Sequence, residues 1–114
     1  MREIKFRAWN GEQMVSPDYI DNRGIAHWRE NSIPTSTDKI MQYTGLKDKN
    51  GKEIYEGDIV RMANPYTSKL RGSEVIYTYA QFAIIADDDF IPLGDIQNWE
   101  IIGNVYENPE LLKG

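Results

Sequence analysis

The sequence predicts a mainly β protein, a small and partly open β-barrel of short antiparallel strands with a C-terminal helical turn. Three observations predict this class. Apolar and polar side chains alternate over short runs, with the two-residue period of a half-buried strand. Turn-forming residues separate these runs at a spacing of roughly ten residues, which is typical of small barrels and sandwiches. Asn108, Pro109 and Glu110 follow one another in the order of a helix cap and a first helical turn.

The first predicted strand covers residues 2–9, where apolar side chains occupy every second position. The pair Asn10-Gly11 follows directly. Asn-Gly after an alternating run favours a tight hairpin, because both central positions of such a turn accept positive φ. The return strand is predicted at residues 14–15, before Pro17, which has no N–H to donate to a ladder. Residues 31–38, rich in Asn, Ser, Pro and Thr, are predicted as loop.

The central block, residues 40–62, contains the highest density of residues typical of strands and turns. Residues 40–44 and 54–62 are predicted strands, and the polar connection between them contains the turn-forming residues Asp48, Asn50 and Gly51. Two further glycines of this block, Gly45 and Gly57, mark places where the backbone needs positive φ or a close approach. The residues of this block are those that strands and turns require, and their pattern indicates no catalytic reaction.

The remaining strands are predicted beyond a loop at residues 63–73. Residues 74–86 alternate at β spacing with a break in phase near Ala80-Gln81, which indicates a bulge or a tight turn. Asp87–Asp89 is predicted to reverse the chain. Residues 99–106 are the last predicted strand, so the whole chain, 1–114, is expected to form a single domain.

Composition limits the compartment and the chemistry. Cysteine is absent, so no disulfide and no thiolate ligand or nucleophile exists. No apolar run approaches the roughly 18 residues that a membrane span needs, and residues 1–5 lack the apolar core of a signal peptide. We therefore expect a cytoplasmic protein without membrane association, and the sequence points to no cofactor.

The charge is unevenly distributed along the chain. Residues 1–40 carry six basic and six acidic groups, residues 41–72 carry six and four, and residues 73–114 carry one and eight. The net charge of −5 makes nonspecific DNA binding a poor default, because such binding depends on cations that displace counterions from phosphates. A local basic face within residues 47–71 remains an alternative.

Three segments carry a resemblance to a known family: residues 2–9, residues 41–60 and residues 102–112, which ends in Asn-Pro-Glu-Leu-Leu. Together, and in the same order, they resemble the YopX-like proteins of bacteriophages and prophages. The resemblance spans essentially the whole chain. It implies a predominantly β protein that is encoded by a phage or prophage and acts in the cytoplasm of the bacterial host. The resemblance assigns no catalytic residue to any position of this chain.

Few residues are candidates for catalysis. His27 is the only histidine, and its neighbours show no nucleophile motif, so a structural role is expected. Asp87–Asp89 lacks the spacing of a calcium-binding loop and is expected to be a solvated turn. Glu53, Glu56 and Asp58 would serve as acid and base only if folding brought two of them into one cleft. The expectation is that this chain is not an enzyme, and a metal-dependent hydrolase using Asp87–Asp89 is the weakest alternative.

The candidate binding residues are aromatic and basic. Exposed tyrosines would form either a protein interface or a stacking platform for single-stranded nucleic acid, and the net charge favours the first. The leading hypothesis is a protein-binding β module that forms a homo-oligomer or docks on a host protein. The alternative is nucleic-acid binding through the basic region. The candidates are Tyr43, Tyr55, Tyr66, Lys47, Lys49, Lys52, Arg61, Lys69 and Arg71.

Overall fold

The structure, a computed structural model, describes residues 4–62, 72–78, 81–86, 89–95 and 99–112. These residues form thirteen short strands and two 3₁₀ helices, at Leu93–Asp95 and Pro109–Leu112. The pairings of defined register are antiparallel, and one sheet curls into a half-barrel. The predicted mainly β class and the C-terminal helical turn are therefore confirmed. The strands are β1 Phe6–Trp9, β2 Met14–Val15, β3 Tyr19–Ile20, β4 Ala26–Glu30, β5 Ile33–Thr37, β6 Ile40–Lys47, β7 Glu53–Tyr55, β8 Asp58–Met62, β9 Ser73–Glu74, β10 Ile76–Thr78, β11 Gln81–Ala86, β12 Asp89–Pro92 and β13 Trp99–Asn104.

The chain divides into two compact units, Met1–Tyr43 and Thr44–Gly114. The prediction of a single domain stays a prediction. None of the helices in the described part of the chain is long and apolar enough to cross a membrane.

The first unit contains β1 between β2 and β6, and the three-stranded sheet β3-β4-β5. Its core is small: alternate residues of β4 and one residue of β1 supply the buried side chains. Ala8, Ala26 and Trp28 are buried, and the partly buried side chains packed against them are Val15, Ile20 and Ile40.

The predicted tight turn at Asn10-Gly11 is wrong in detail. Trp9 pairs with Met14, so four residues connect β1 and β2. Asn10 is the reason: its side-chain Oδ1 accepts hydrogen bonds from the amides of Glu12 and Gln13 at 2.7 and 2.8 Å. Asparagine commonly forms this local alternative to a tight turn, and here it requires a longer connection.

The prediction of a loop at residues 31–38 is also wrong. β5 occupies Ile33–Thr37 as an edge strand, where Pro34 is tolerated. Glu30 pairs with Ile33, and the two residues between them, Asn31 and Ser32, have φ of 52° and 69°. Positive φ at both central positions is the signature of a two-residue hairpin turn.

The second unit contains the three-stranded sheets β10-β11-β12 and β13-β8-β9. Thr78 pairs with Gln81, so the predicted break in phase near residue 80 is a reversal of the chain. Ala86 pairs with Asp89, which confirms the reversal predicted at Asp87–Asp89. The core of this unit is apolar and draws on both sheets; it consists of Ile54, Val60, Val75, Phe82, Ile84, Leu93 and Trp99.

The central block, residues 40–62, folds as three strands joined by two turns, and β7 pairs with β6 while β8 lies in the sheet β13-β8-β9. β6 extends to Lys47, and the predicted strand 54–62 is divided into β7 and β8 by a turn at Glu56-Gly57. Gly45 and Gly57 have φ of 86° and 85°, which confirms the positive φ predicted for both.

Candidate functional site

Asp48 hydrogen-bonds both the turn between β6 and β7 and the start of β13. It is buried, and its Oδ1 accepts hydrogen bonds from the amides of Asn50 and Lys52 at 2.8 and 2.9 Å. Its Oδ2 accepts a third, from the amide of Ile101 at 3.2 Å. Burial acts to raise the pKa of Asp48, but these amide donors and the Lys52 charge outweigh it and hold the pKa below its ordinary value. Asp48 is therefore a structural carboxylate.

Asp58 and Gly57 form a second fixed point. The Asp58 Oδ2 accepts a hydrogen bond from the Tyr55 amide at 2.7 Å, which closes the turn between β7 and β8. The backbone of Gly57 donates to the Val75 carbonyl and accepts from the Val105 amide, both at 2.9 Å. Both residues are buried, and this hydrogen bond gives the Asp58 carboxylate a structural role; its role as acid or base stays a prediction.

At the end of β13, as at Asp48 and Asp58, buried polar side chains hydrogen-bond the backbone. Asn104 is buried, and its Oδ1 accepts hydrogen bonds from the amides of Tyr106 and Glu107 at 3.0 and 2.9 Å. The Asn108 Oδ1 in turn accepts from the Asn104 amide at 3.2 Å. These residues belong to the segments that carry the family resemblance, so side chains of the recognisable motifs hydrogen-bond the backbone.

The basic region contains a carboxylate that the sequence did not reveal. Glu100 accepts hydrogen bonds from Arg61 at 2.6 and 2.8 Å and lies 3.0 Å from Lys49 Nζ. Hydrogen bonds from Lys49 and then from Arg61 lower the pKa of Glu100 below its ordinary value, and burial opposes them. Two of the predicted nucleic-acid contacts are thus already engaged with a carboxylate.

The other basic candidates fall into two groups. Lys47 and Lys52 are exposed, close in sequence to the Asp48 turn. Tyr66, Lys69 and Arg71 lie outside the described residues. The geometry therefore brings Lys49 and Arg61 together at Glu100 and places Lys47 and Lys52 on the adjoining turn.

The two described tyrosine candidates are not exposed anchors. Tyr43 is only 5% exposed, and Lys5 Nζ lies 5.0 Å from the centre of its ring. Tyr55 is half-buried on β7. The exposed aromatic side chains include Tyr77 and also Tyr19, which the sequence did not single out.

His27 has a structural partner. Its Nε2 lies 2.8 Å from Asp21 Oδ2, and its ring stacks on Tyr19 with 4.7 Å between the ring centres. The hydrogen bond from His27 lowers the pKa of Asp21 well below its ordinary value; burial opposes this effect, and the amides of Ile25 and Arg23 add to it. The pairing is local to the β3-β4 hairpin, where Tyr19 stands directly opposite His27.

The remaining carboxylates form no metal centre in the part of the chain that the structure describes, where no group of three potential metal ligands occurs. Burial, together with the nearby charge of Glu56, raises the pKa of Glu74 above its ordinary value. Asp87 and Asp88, and the side chain of Asp89, lie outside the described residues. The hydrolase alternative therefore gains no support from the described residues.

One face of the sheet β10-β11-β12 is unusual. Phe82 and Ile84 point into the core, so the intervening Ala83 and the following Ile85 point to the other side. Ile76 and Pro92 stand opposite Ala83, and Phe90 stands opposite Ile85. This outer apolar face is defined as Ile76, Ala83, Ile85, Phe90 and Pro92, and Thr78 and Gln81 continue the same side of the sheet. Ala83 is fully buried within the chain, and Ile85 is 47% exposed.

The fold and these contacts define a small, mainly β protein with an apolar sheet face and a structural polar network. The family model described as YopX protein matches residues 5–113. The chain belongs to the YopX family.

Relatives of known sequence or structure agree over nearly the whole chain. The SPbeta prophage-derived uncharacterized protein YopX of Bacillus subtilis (strain 168) is 29% identical over 133 aligned positions, which cover 96% of each chain. The crystal structure of protein EF1440 from Enterococcus faecalis is 29% identical, with a TM-score of 0.68 over 99% of this chain and 100% of that one. The crystal structure of YopX from Bacillus subtilis gives 25% identity and a TM-score of 0.67, with the same coverage.

Proposed function

We propose that this chain is a phage or prophage accessory protein that acts in the host cytoplasm by binding protein, either a second copy of itself or a host factor, and that it catalyses no reaction. The prophage origin of the Bacillus subtilis relative supports the first part. The outer apolar face of β10-β11-β12 supports the second part, the binding of protein. The middle of this sheet is apolar on both sides, which is typical of strands covered on both sides, and the cover over the outer side reaches Ala83 and leaves Ile85 exposed.

The exposure of Ile85 is the informative part of that face. An exposed apolar side chain that is continuous with a partly buried apolar surface is a candidate site of contact, and Ile85 continues the half-buried Ile76, Phe90 and Pro92. Ile85 is flanked across the ladder by Phe90, and aromatic residues are favoured at the centre of protein interfaces. A partner that covers Ile85 would complete the burial of this face.

Replacement of Ile85 tests the proposal. The tagged native chain and the Ile85→Lys variant are passed through bacterial lysate, and bound protein and the molar mass of the purified chain are measured. Ile33→Lys is the matched control, because Ile33 is also a strand isoleucine and is 65% exposed, but it lies in the first unit. We expect Ile85→Lys to lose bound protein or self-association and Ile33→Lys to retain it. Equal behaviour of the two variants would contradict the proposal.

Nucleic-acid binding is the second candidate, favoured by the exposed Lys47, Lys49, Lys52 and Arg61. Glu100 weakens it, because it engages Lys49 and Arg61. A phosphate-driven complex must weaken steeply as salt rises. Titration of a fluorescent single-stranded oligonucleotide in low and high salt distinguishes this candidate, and absence of binding in low salt would exclude it.

A further inference from the structure

The sheet β3-β4-β5 of the first unit carries an exposed aromatic ring on the side away from its core. Ala26 and Trp28 of β4 are core residues, so His27 between them points to the outer side. Tyr19 of β3 pairs with His27 on this side and is 61% exposed. One face of its ring stacks on His27, with 4.7 Å between the ring centres and 13° between the planes. The other face of the Tyr19 ring is therefore open to solvent.

Hydrogen bonds fix the ring on which Tyr19 stacks. His27 Nε2 lies 2.8 Å from Asp21 Oδ2. The Oδ1 of the same carboxylate accepts hydrogen bonds from the amides of Arg23 and Ile25 at 2.8 and 3.1 Å. The stacked pair is thus connected to the backbone of the turn between β3 and β4. A surface that is ordered before it binds loses little conformational entropy on binding, and this favours affinity.

The same side of the sheet carries a positive charge without a direct counter-ion. Arg29 follows His27 by two residues, so it points to the same side, roughly 7 Å further along β4. Arg29 is exposed, and its Nη1 donates to the uncharged carbonyl of Ser32 at 3.1 Å. No carboxylate pairs with Arg29 among the residues that the structure describes. Arg23 differs, because it lies 3.2 Å from Asp21 and offsets that charge.

The neighbouring carboxylates differ in their effect on this surface. Glu30 follows Arg29 and points to the core side, where its Oε1 accepts hydrogen bonds from Trp28 Nε1 and Asn10 Nδ2 at 2.9 and 2.8 Å. Asp18 directly precedes Tyr19 and is exposed. Asp18 is therefore the carboxylate that would oppose an anion here.

An open aromatic face near an available guanidinium fits a ligand that is planar at one point and anionic at the next. A nucleotide unit meets both requirements, because its base stacks on an aromatic ring and its phosphate accepts hydrogen bonds from arginine. Bases of a single strand are free to stack in this way, whereas a duplex must first release them. The outward residues of β5, Pro34 and Ser36, add little of the apolar area that the centre of a protein interface needs.

We propose that the outer side of β3-β4-β5 binds single-stranded nucleic acid, with one base stacked on Tyr19 and the adjacent phosphate on Arg29. This inference goes beyond the proposed function and does not depend on it, since the outer apolar face lies in the second unit. It also differs from the basic region around Lys47 and Arg61. One stack and one cation, in a chain with a net charge of −5, give a weak complex that is best observed in low salt.

Substitutions separate the stack from the charge. Tyr19→Ala removes the ring, Tyr19→Phe keeps it, and Arg29→Gln removes the charge. Tyr77→Ala is the matched control, because Tyr77 is also a strand tyrosine and is 53% exposed, but it lies in the second unit. Circular dichroism and urea unfolding verify that each variant is folded.

The measurement is the fluorescence anisotropy of a labelled single-stranded oligonucleotide, titrated with protein at several salt concentrations. We expect Tyr19→Ala to weaken binding about fivefold or more at every salt concentration, because stacking is not ionic. Arg29→Gln should lower the slope of log affinity against log salt by about one, the effect of one lost phosphate contact. Tyr19→Phe and Tyr77→Ala should bind as the native chain does, and Asp18→Asn should bind more tightly.

Three results would overturn the proposal: no binding by the native chain in low salt, the same affinity for Tyr19→Ala and Tyr77→Ala, or a duplex that binds as tightly as the single strand. Loss of binding in Lys47→Gln, with Tyr19→Ala unchanged, would also overturn it and assign nucleic acid to the basic region. Capture of protein through Ile85 is measured without oligonucleotide, so the proposed function stands or fails independently.

Discussion

Gly57 allows the chain to turn sharply between β7 and β8 while its backbone is hydrogen-bonded on both sides. Its φ of 85° is a conformation that a β-branched residue rarely adopts. We predict that Gly57→Val lowers the free energy of unfolding by about 1–3 kcal/mol or more. Urea denaturation measures the change. Gly94→Ala is the control, because a Cβ at Gly94 meets nothing within 4 Å. A neutral Gly57→Val would contradict the role assigned to this turn.

Asp48 gives a prediction with a defined pH dependence. Asp48→Asn keeps the shape but removes the charge that three amides bind, and we expect a loss of about 1–3 kcal/mol at pH 7. Because the pKa of Asp48 is lowered in the folded state, its contribution is complete above its unfolded pKa of about 4 and decreases as the pH falls through the folded value.

The difference between native chain and Asp48→Asn should therefore shrink in acid. Urea unfolding at pH 7 and pH 3 measures it, with the exposed Glu110→Gln as a control that should change stability by less than about 0.5 kcal/mol. A difference that is constant between the two pH values would show that Asp48 acts through its shape and not through its charge.

For single residues, the sequence predicts roles that depend on residues nearby in the chain. The positive φ of Gly45 and Gly57 and the turn at Asp48 could be predicted because backbone conformation and short-range hydrogen bonds depend on adjacent residues. The pairing of Glu100 with Arg61 is not readable, since the two are 39 residues apart and meet only through the register of β8 and β13.

The hairpin β4-β5 shows how an element departs from sequence expectation. Its two-residue turn uses Asn31 and Ser32, both with positive φ, where Asn-Gly would be the usual choice. We predict that Ser32→Gly raises the free energy of unfolding by about 0.5–1 kcal/mol, because relief of the left-handed conformation exceeds the added entropy of the unfolded chain. Thermal and urea unfolding measure the gain.

Ser36→Gly is the matched substitution within β5. Glycine in a strand interior costs about 0.5–1 kcal/mol, so this variant should be destabilised. If both variants lose stability, the turn at Asn31-Ser32 is not strained and the account of the hairpin is wrong.

The sequence places strands correctly where alternation is regular and poorly where side chains compete with the backbone. β1 and β13 lie within the predicted runs 2–9 and 99–106, and each is shorter than predicted. The connection between β1 and β2 is longer than Asn10-Gly11 predicts, because the Asn10 side chain binds two backbone amides. β5 escapes prediction because an exposed edge strand tolerates Pro34 and polar residues, which are otherwise typical of loops.

For the molecule as a whole, charge and apolar surface are the features that bear on function. The acidic C-terminal third is evident from the sequence, but the outer apolar face is not, since Ile76, Ile85 and Phe90 read as ordinary core residues until the register places them on the side away from the core. A sequence shows that a strand is apolar on both faces; only the structure shows which face is left partly exposed.

The most direct test of protein binding through the outer apolar face is photo-crosslinking in bacterial cells, with a photoreactive phenylalanine placed at Ile85 or, as control, at Ile33. Both positions are exposed strand isoleucines in different units, so chance contacts should be similar. We expect position 85 to crosslink to a discrete protein, a second copy or a host factor, and position 33 not to do so. No crosslinked protein from position 85, or the same products from both positions, would contradict it.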